Sequence, residues 1–331
     1  MFDIDVREMA LRPGLVWGFD FADGAAAKVT DADLLHANQP ANSFRWLHFN
    51  LADQRTLRWL SQAQPVSATA TTLLLAVDHA QHGVVEGETI GLILHDLELD
   101  FAGGESRVGV LRIAVSPTMI VTARHHPIQC AETVKSHIDA GAVVAGPAAA
   151  LGLIFDAMAD GFRAVNIDLE AQVEAIEDEL LKDHPSPDSR AFTTMRSLMV
   201  RMHRLFVGAR HTLHSMDLHE ARHPYREVFA RFVTRLSALD SELLGHQSEL
   251  RILRDELDLQ ATQRTNDNLY FLSVLSALLL PATLVTGIFG INTGGLLWTT
   301  DKYGSLWATG LALGSAGVVY LILRMAGFIR K

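Results

Sequence analysis

Cysteine is almost missing from this chain of 331 residues, and Cys130 stands alone. No intrachain disulfide can form, and no cysteine-based metal site. A chain without disulfides fits a reducing compartment, so the soluble bulk is expected in the cytoplasm. Positive charge is also scarce, with 28 Lys and Arg against 38 Asp and Glu and a formal net charge of −10. That balance argues against a nucleic-acid partner and is compatible with handling cations. The opening residues, MFDIDVREMALRPG, carry scattered charges and no apolar stretch, which argues against a cleaved signal peptide. There is no GxGxxG, no Walker A loop and no nucleophile elbow. Without a nucleophile and base at credible spacing, neither an enzyme nor a cofactor is expected.

Charge disappears altogether in two stretches near the C-terminus. Residues 269–291 read LYFLSVLSALLLPATLVTGIFGI, and residues 306–323 read LWATGLALGSAGVVYLIL. A bilayer span needs about 20 apolar residues, so both are transmembrane candidates rather than core helices. Arg324, Arg330 and Lys331 follow the second span, which places both chain ends in the cytoplasm and the 292–305 loop outside. Trp298, Tyr303 and Trp307 sit where an aromatic belt would lie.

Proline is absent between Pro224 and Pro281. Across that gap Phe229, Phe232, Leu236, Leu239, Leu243, His246, Leu250, Leu253 and Leu257 alternate at spacings of three and four. This period of 3.5 specifies a supercoiling helix, from about Arg226 to Ile291, that needs partner helices or copies of itself. A partner precedes it. Residues 146–183 are helical in pattern, with Leu169, Val173, Ile176 and Leu180 on one face and an acidic run from Asp168 to Asp183 on another. That run reads as a solvated face or as a means of raising local cation concentration. HPSPDS at 184–189 is a turn, and a second helix returns over about 190–217.

Residues 1–145 differ in texture. Strands are expected at 15–21, 45–51, 89–99, 107–115 and 119–124, a hairpin turn at 100–106, and helices at 52–63, 68–78 and 127–137. The expected order is therefore an α+β domain over 1–145, a helical hairpin and stalk over 146–268, a first span over 269–291, an external loop over 292–305, a second span over 306–323 and a basic tail over 324–331.

The first span ends in GIFGINTGG, and the domain carries FRWLHFN at 44–50. In this order of parts, with a Gly-aromatic-Gly-x-Asn ending on the first span, the chain resembles the CorA superfamily of divalent-cation transporters over essentially its whole length. Gly290, Ile291 and Asn292 stand at that family's Gly-Met-Asn signature, without its methionine. The aliphatic residue and the Gly-Gly that follows are similar to the zinc-transporting ZntB branch. The resemblance implies a homopentamer in a bacterial inner membrane, with first spans around a central pore. It implies Zn²⁺ as the transported substrate, Mg²⁺, Co²⁺ or Ni²⁺ as the alternative, with proton coupling open. The pore would place an amide ring from Asn292 at the outer mouth. Asn292 can equally act as a simple helix C-cap. A pore-free membrane scaffold is the reading from another class.

Counting back from Asn292 at helical spacing gives Gly287, Thr283, Leu280, Ser276, Leu272 and Leu269 as the pore face. Thr283 stands at a polar pore position of the family or bonds back to its own helix. Leu272 and Leu269 would form an apolar constriction that gates by dewetting. Asp255 and Asp258 continue the track inward, as a cation-concentrating ring or as exposed charges on a coiled-coil flank. His211, His214, His219 and His223 have spacings that suit zinc ligation on helices, but no acid or cysteine completes a signature.

Overall fold

A computed structural model describes residues 14–30, 43–98, 107–181, 189–216, 223–291 and 302–328. The chain divides into two compact units, residues 1–251 and 252–331.

The first unit is built on a seven-stranded sheet. Its strands are β1 (Leu15–Ala22), β2 (Ala25–Lys28), β3 (Ser43–Asn50), β4 (His82–Glu86), β5 (Thr89–Leu97), β6 (Val108–Val115) and β7 (Met119–Arg124), in the order β2-β1-β3-β7-β6-β5-β4. All neighbours are antiparallel except β3 and β7. The five expected strands are present. β2 and β4 were not expected, and each begins or ends at a glycine turn. Asp23 and Gly24 both take left-handed φ angles, of 50° and 82°, as a two-residue hairpin of this hand requires. The 100–106 turn lies outside the described residues, though β5 and β6 pair antiparallel on either side of it.

Pleating sends alternate residues to opposite faces of the sheet. One face presents Leu47, Phe49, Ala114, Val121 and Ala123, which pack with Leu60, Ala70 and Leu74 of α1 (Gln54–Ala63) and α2 (Ala68–Leu75). Asp53 caps α1 by accepting from Arg55 N, and Ser67 caps α2 by accepting from Ala70 N. The other face is aromatic. Trp17 stacks on His48 with centroids 4.8 Å apart, Trp17 meets Trp46 at 5.3 Å, and Phe21 stacks on Phe44 at 4.6 Å. α3 (Gln129–Asp139) and α4 (Pro147–Leu180) cover this face with Val134 and Ile154. Arg45 and Asp20, cross-strand neighbours on β3 and β1, form a two-pronged ion pair at 2.7 and 2.8 Å.

α4, α5 (Ser189–Ser215) and the first half of α6 (Arg226–Gly290) complete this unit. The stripe on α6 is closed within one chain: Phe229, Phe232, Leu236, Leu239, Leu243, Leu250 and Leu253 are all buried. Phe155 of α4 stacks on Phe232 with centroids 4.3 Å apart. Asn166 of α4 donates to Leu239 O at 3.0 Å. Of the two partners the stripe allowed, other helices or copies, α4 and α5 take the role from Phe229 to Asp240. Each large side chain so buried contributes about 1.5–3 kcal/mol. Buried Asp240 accepts from Arg210 at 2.9 Å and meets His203 Nδ1 at 2.7 Å, so the α5–α6 contact has a polar lock inside its apolar seam.

The second unit holds the end of α6 and α7 (Gly304–Met325), both long and apolar enough to cross a membrane. Tyr270 donates to Phe328 O, tying the start of the first span to the end of the second.

Candidate functional site

The predicted track lies on α6 as an uncovered line. Leu269, Leu272, Ser276, Leu280, Thr283 and Gly287 are all exposed in the single chain. Exposure alone does not set them apart, because Phe271, Leu275, Leu279 and Leu284 are exposed as well. The half-buried positions do. Val274, Ala277, Leu278, Pro281, Ala282, Val285 and Phe289 are partly covered and lie on one side of the helix. On α7 the less exposed positions are Ala308, Ala312, Ser315, Val319 and Leu323, again on one face. At about 100° per residue, the covered stripe of α6 and the predicted track point about 180° apart.

Most hydroxyls along α6 turn to the backbone. Thr283 Oγ1 donates to Leu280 O at 2.9 Å and Thr286 Oγ1 to Ala282 O at 3.1 Å, the carbonyls on either side of Pro281, whose missing N–H leaves Ala277 O without its helical donor. The Thr283 oxygen keeps its acceptor lone pairs. Ile291 is exposed, and its N–H bonds to Gly287 O at 3.2 Å, so the helix persists to the Gly290–Ile291 step. Asn292, the last member of that motif, lies outside the described residues. Asp255 and Asp258 are exposed, and Thr262 Oγ1 donates to Asp258 O at 2.8 Å.

The histidine group divides. His211 and His214 are exposed on α5. His223 packs against the β4–β5 turn, with Nε2 3.3 Å from Gly87 O. His219 lies outside the described residues. Among the described residues no three His, Cys, Asp or Glu side chains come together to hold a metal ion.

The sheet unit contains buried polar groups that periodicity did not single out. His48 is fully buried on β3. Thr122 Oγ1 lies 2.9 Å from His48 Nδ1 and 3.1 Å from Trp46 Nε1, and Arg124 Nε donates to His48 Nε2 at 3.2 Å. Accepting from Arg124 requires Nε2 to be unprotonated, so the proton sits on Nδ1. Burial, and then the charge of Arg124, lower the pKa of His48 to about 3. Asp96, buried on β5, accepts from Cys130 N at 3.0 Å. Burial raises the Asp96 carboxyl, and burial with Asp96 beside it raises the Cys130 thiol well above its ordinary value. A thiol so held is an inert core group. The cavity between Trp17, His48 and Cys130 measures about 10 Å³, room for one water and not for a substrate. An FRWLHFN string with alternation reveals a strand, but not that its histidine faces an arginine 76 residues away.

Comparison with known proteins agrees with this architecture. The family model of the CorA-like Mg²⁺ transporter protein matches residues 41–325. The zinc transport protein ZntB of Yersinia pestis is 23% identical over 321 residues, covering 94% of this chain and 93% of that one. The structure of full-length CmaX superposes with a TM-score of 0.80 at 20% identity, over 95% of this chain and 98% of that one. The CorA magnesium transporter of Methanocaldococcus jannaschii gives 0.77 at 17% identity, over 95% and 99%. An α+β domain, a long helix and two terminal apolar helices are thus a shared fold. By the match over most of its length, the chain belongs to the CorA-like Mg²⁺ transporter family, whose members move divalent cations across membranes and are not enzymes.

Proposed function

We propose that the chain forms a homopentameric pore in a bacterial inner membrane and carries Zn²⁺ into the cytoplasm. One observation carries the pore reading: α6 uses one face against its own chain and leaves the opposite face, from Leu269 to Gly287, uncovered. Two spans cannot enclose an aqueous path, so several chains must pool their first spans. Helices keep their backbone groups paired at membrane depth, and the free face then turns to the centre. Ser276 and Thr283 give that face polar points, and Leu269 and Leu272 give it an apolar ring at the inner end. At the outer end, Gly287 and Gly290 let helix ends approach closely, and Asn292 offers an amide ring. Amide oxygens hydrogen-bond the water shell of a divalent ion without the cost of stripping it.

The choice of zinc is supported by GINTGG and by the zinc transport relatives, which align along nearly the whole chain. The family's own description supports Mg²⁺ as the second reading. Neither apolar run, 269–291 or 306–323, contains a carboxylate or a histidine to relay a proton. Flux into proteoliposomes, comparing Zn²⁺ with Mg²⁺ in the presence and absence of a pH gradient, tests the proposal. Saturable zinc uptake is expected. Uptake of Mg²⁺ alone would move the assignment, and no flux of either ion would overturn it.

A further inference from the structure

The hydroxyls at membrane depth are not alike. Six serine and threonine side chains lie in the two apolar runs: Ser273, Ser276, Thr283 and Thr286 on α6, and Thr309 and Ser315 on α7. Ser273 Oγ donates to Leu269 O at 2.8 Å, and Thr283 and Thr286 donate to Leu280 O and Ala282 O as described above. Thr309 Oγ1 donates to Ser305 O at 2.9 Å and Ser315 Oγ to Ala312 O at 2.8 Å. Each of these five thereby keeps its proton inside its own helix, as a hydroxyl facing lipid or another helix must. Ser276 is the exception. It is exposed, and among the described residues its Oγ has no partner.

Its place along α6 is equally particular. Ser276 lies on the uncovered line, with Leu272 one turn toward the inner end and Leu280 one turn toward the outer end, both exposed. At 1.5 Å per residue the two leucines stand about 6 Å below and above it. From Leu269 to Leu280 the line runs about 17 Å, and Ser276 is its only polar member. Ser273, three residues earlier, points about 60° away from Ser276 and so lies off the line. Where copies of α6 face a shared axis, each leucine level closes in on that axis. The short hydroxymethyl of Ser276 leaves a wider level between them.

We propose that Ser276 is a hydration station in the ion path, where a ring of its hydroxyls holds the water shell of a divalent cation between two apolar levels. This role rests on the reading of α6 as the lining of a pore. A hydroxyl at membrane depth without a protein partner is costly in lipid and not in water. The waters around a cation turn their protons outward, and the Ser276 oxygen accepts them with its lone pairs while its own proton goes to a further water. It offers no charge, so the ion is held through its shell and released readily. An apolar stretch gates by losing its water. A polar ring in the middle divides the dry stretch in two and lowers the barrier to crossing it.

The test uses the full-length protein in proteoliposomes, with Zn²⁺ uptake as the readout and the mass in detergent as the check of assembly. Ser276→Ala joins the leucine levels into one dry stretch and is expected to lower uptake about tenfold, the worth of one hydrogen bond on a barrier. Ser273→Ala removes the same atom off the line and is expected to leave uptake unchanged. Uptake by Ser276→Ala at or above the wild-type rate overturns the proposal, and so does an equal loss in the two variants. A second measurement reads where the side chain points. Cys130 is buried and its thiol is held protonated, so wild type is silent toward a water-soluble methanethiosulfonate. Ser276→Cys is expected to be modified, read as a mass shift, and Ser273→Cys to be spared. Modification of both alike, or of Ser273→Cys alone, overturns the proposal. Thr283→Cys, further out on the same line, separates the station from the pore. With Thr283→Cys modified and Ser276→Cys spared, the station falls and the pore stands. With neither modified, the pore falls and the station with it.

Discussion

Replacing His48 by glutamine is expected to remove a large part of the acid sensitivity of the sheet unit. The imidazole is fully buried, and its two nitrogens are committed to Thr122 and Arg124. A second proton on Nε2 would point at the Arg124 N–H and place two charges in the core. The folded pKa, about 3, lies below the ordinary 6.5. As pH falls, the unfolded chain therefore takes up the proton first. The stability held by neutral His48 is present above about pH 6.5 and drains away as pH falls toward 3. One proton is worth about 1.36 kcal/mol per pH unit. His48 alone then removes about 2 kcal/mol between pH 7 and pH 5, and over 4 kcal/mol by pH 3. Glutamine offers an N–H to Thr122 and an oxygen to Arg124 but cannot titrate. Urea unfolding of the full-length protein in detergent, followed by tryptophan emission, reads the effect directly, since Trp17 stacks on the ring and Trp46 shares its threonine. Wild type and His48→Gln are measured at several pH values, and the difference in slope isolates this group from the other acids and bases. Parallel slopes would refute the argument, because a histidine that titrates normally in the fold contributes no pH dependence.

Other outcomes follow from the proposed pore. The detergent-solubilised protein is expected to have the mass of five chains, and a monomer or dimer by light scattering would end the shared-pore reading. Leu272→Asp would place five carboxylates in the apolar ring and hydrate it, giving leak or constitutive conduction; unchanged flux in a folded protein would remove Leu272 from the path. Asn292→Ala is expected to leave expression and mass intact, at a cost on the order of 1 kcal/mol for a lost cap, while saturable zinc uptake falls sharply. Asn292→Asp keeps the size and adds charge, so capture tightens, release slows and discrimination among divalent ions weakens. Wild-type rate and selectivity in both variants would reduce GINTGG to a turn.

Much of this protein was open to reading in one dimension. Charge-free runs of 23 and 18 residues marked the two apolar helices, because bilayer thickness converts directly into chain length. A spacing of three and four over Phe229–Leu253 marked α6, because helical period is local. Alternation marked β1, β3, β5, β6 and β7. β2 and β4 were missed, though Asp23–Gly24 and Gly87 announce their turns. AAAK and HGVVE are too short for alternation to stand out. What closed the stripe on α6 was not legible, since an apolar seam fits a neighbouring helix and a second copy equally well. Only the fold put Phe155 on Phe232 and Asp240 between His203 and Arg210. Only register put His48 within reach of Arg124. Period and composition are properties of neighbours in the chain. The charge state of a buried histidine depends on groups that the sheet brings together across dozens of residues.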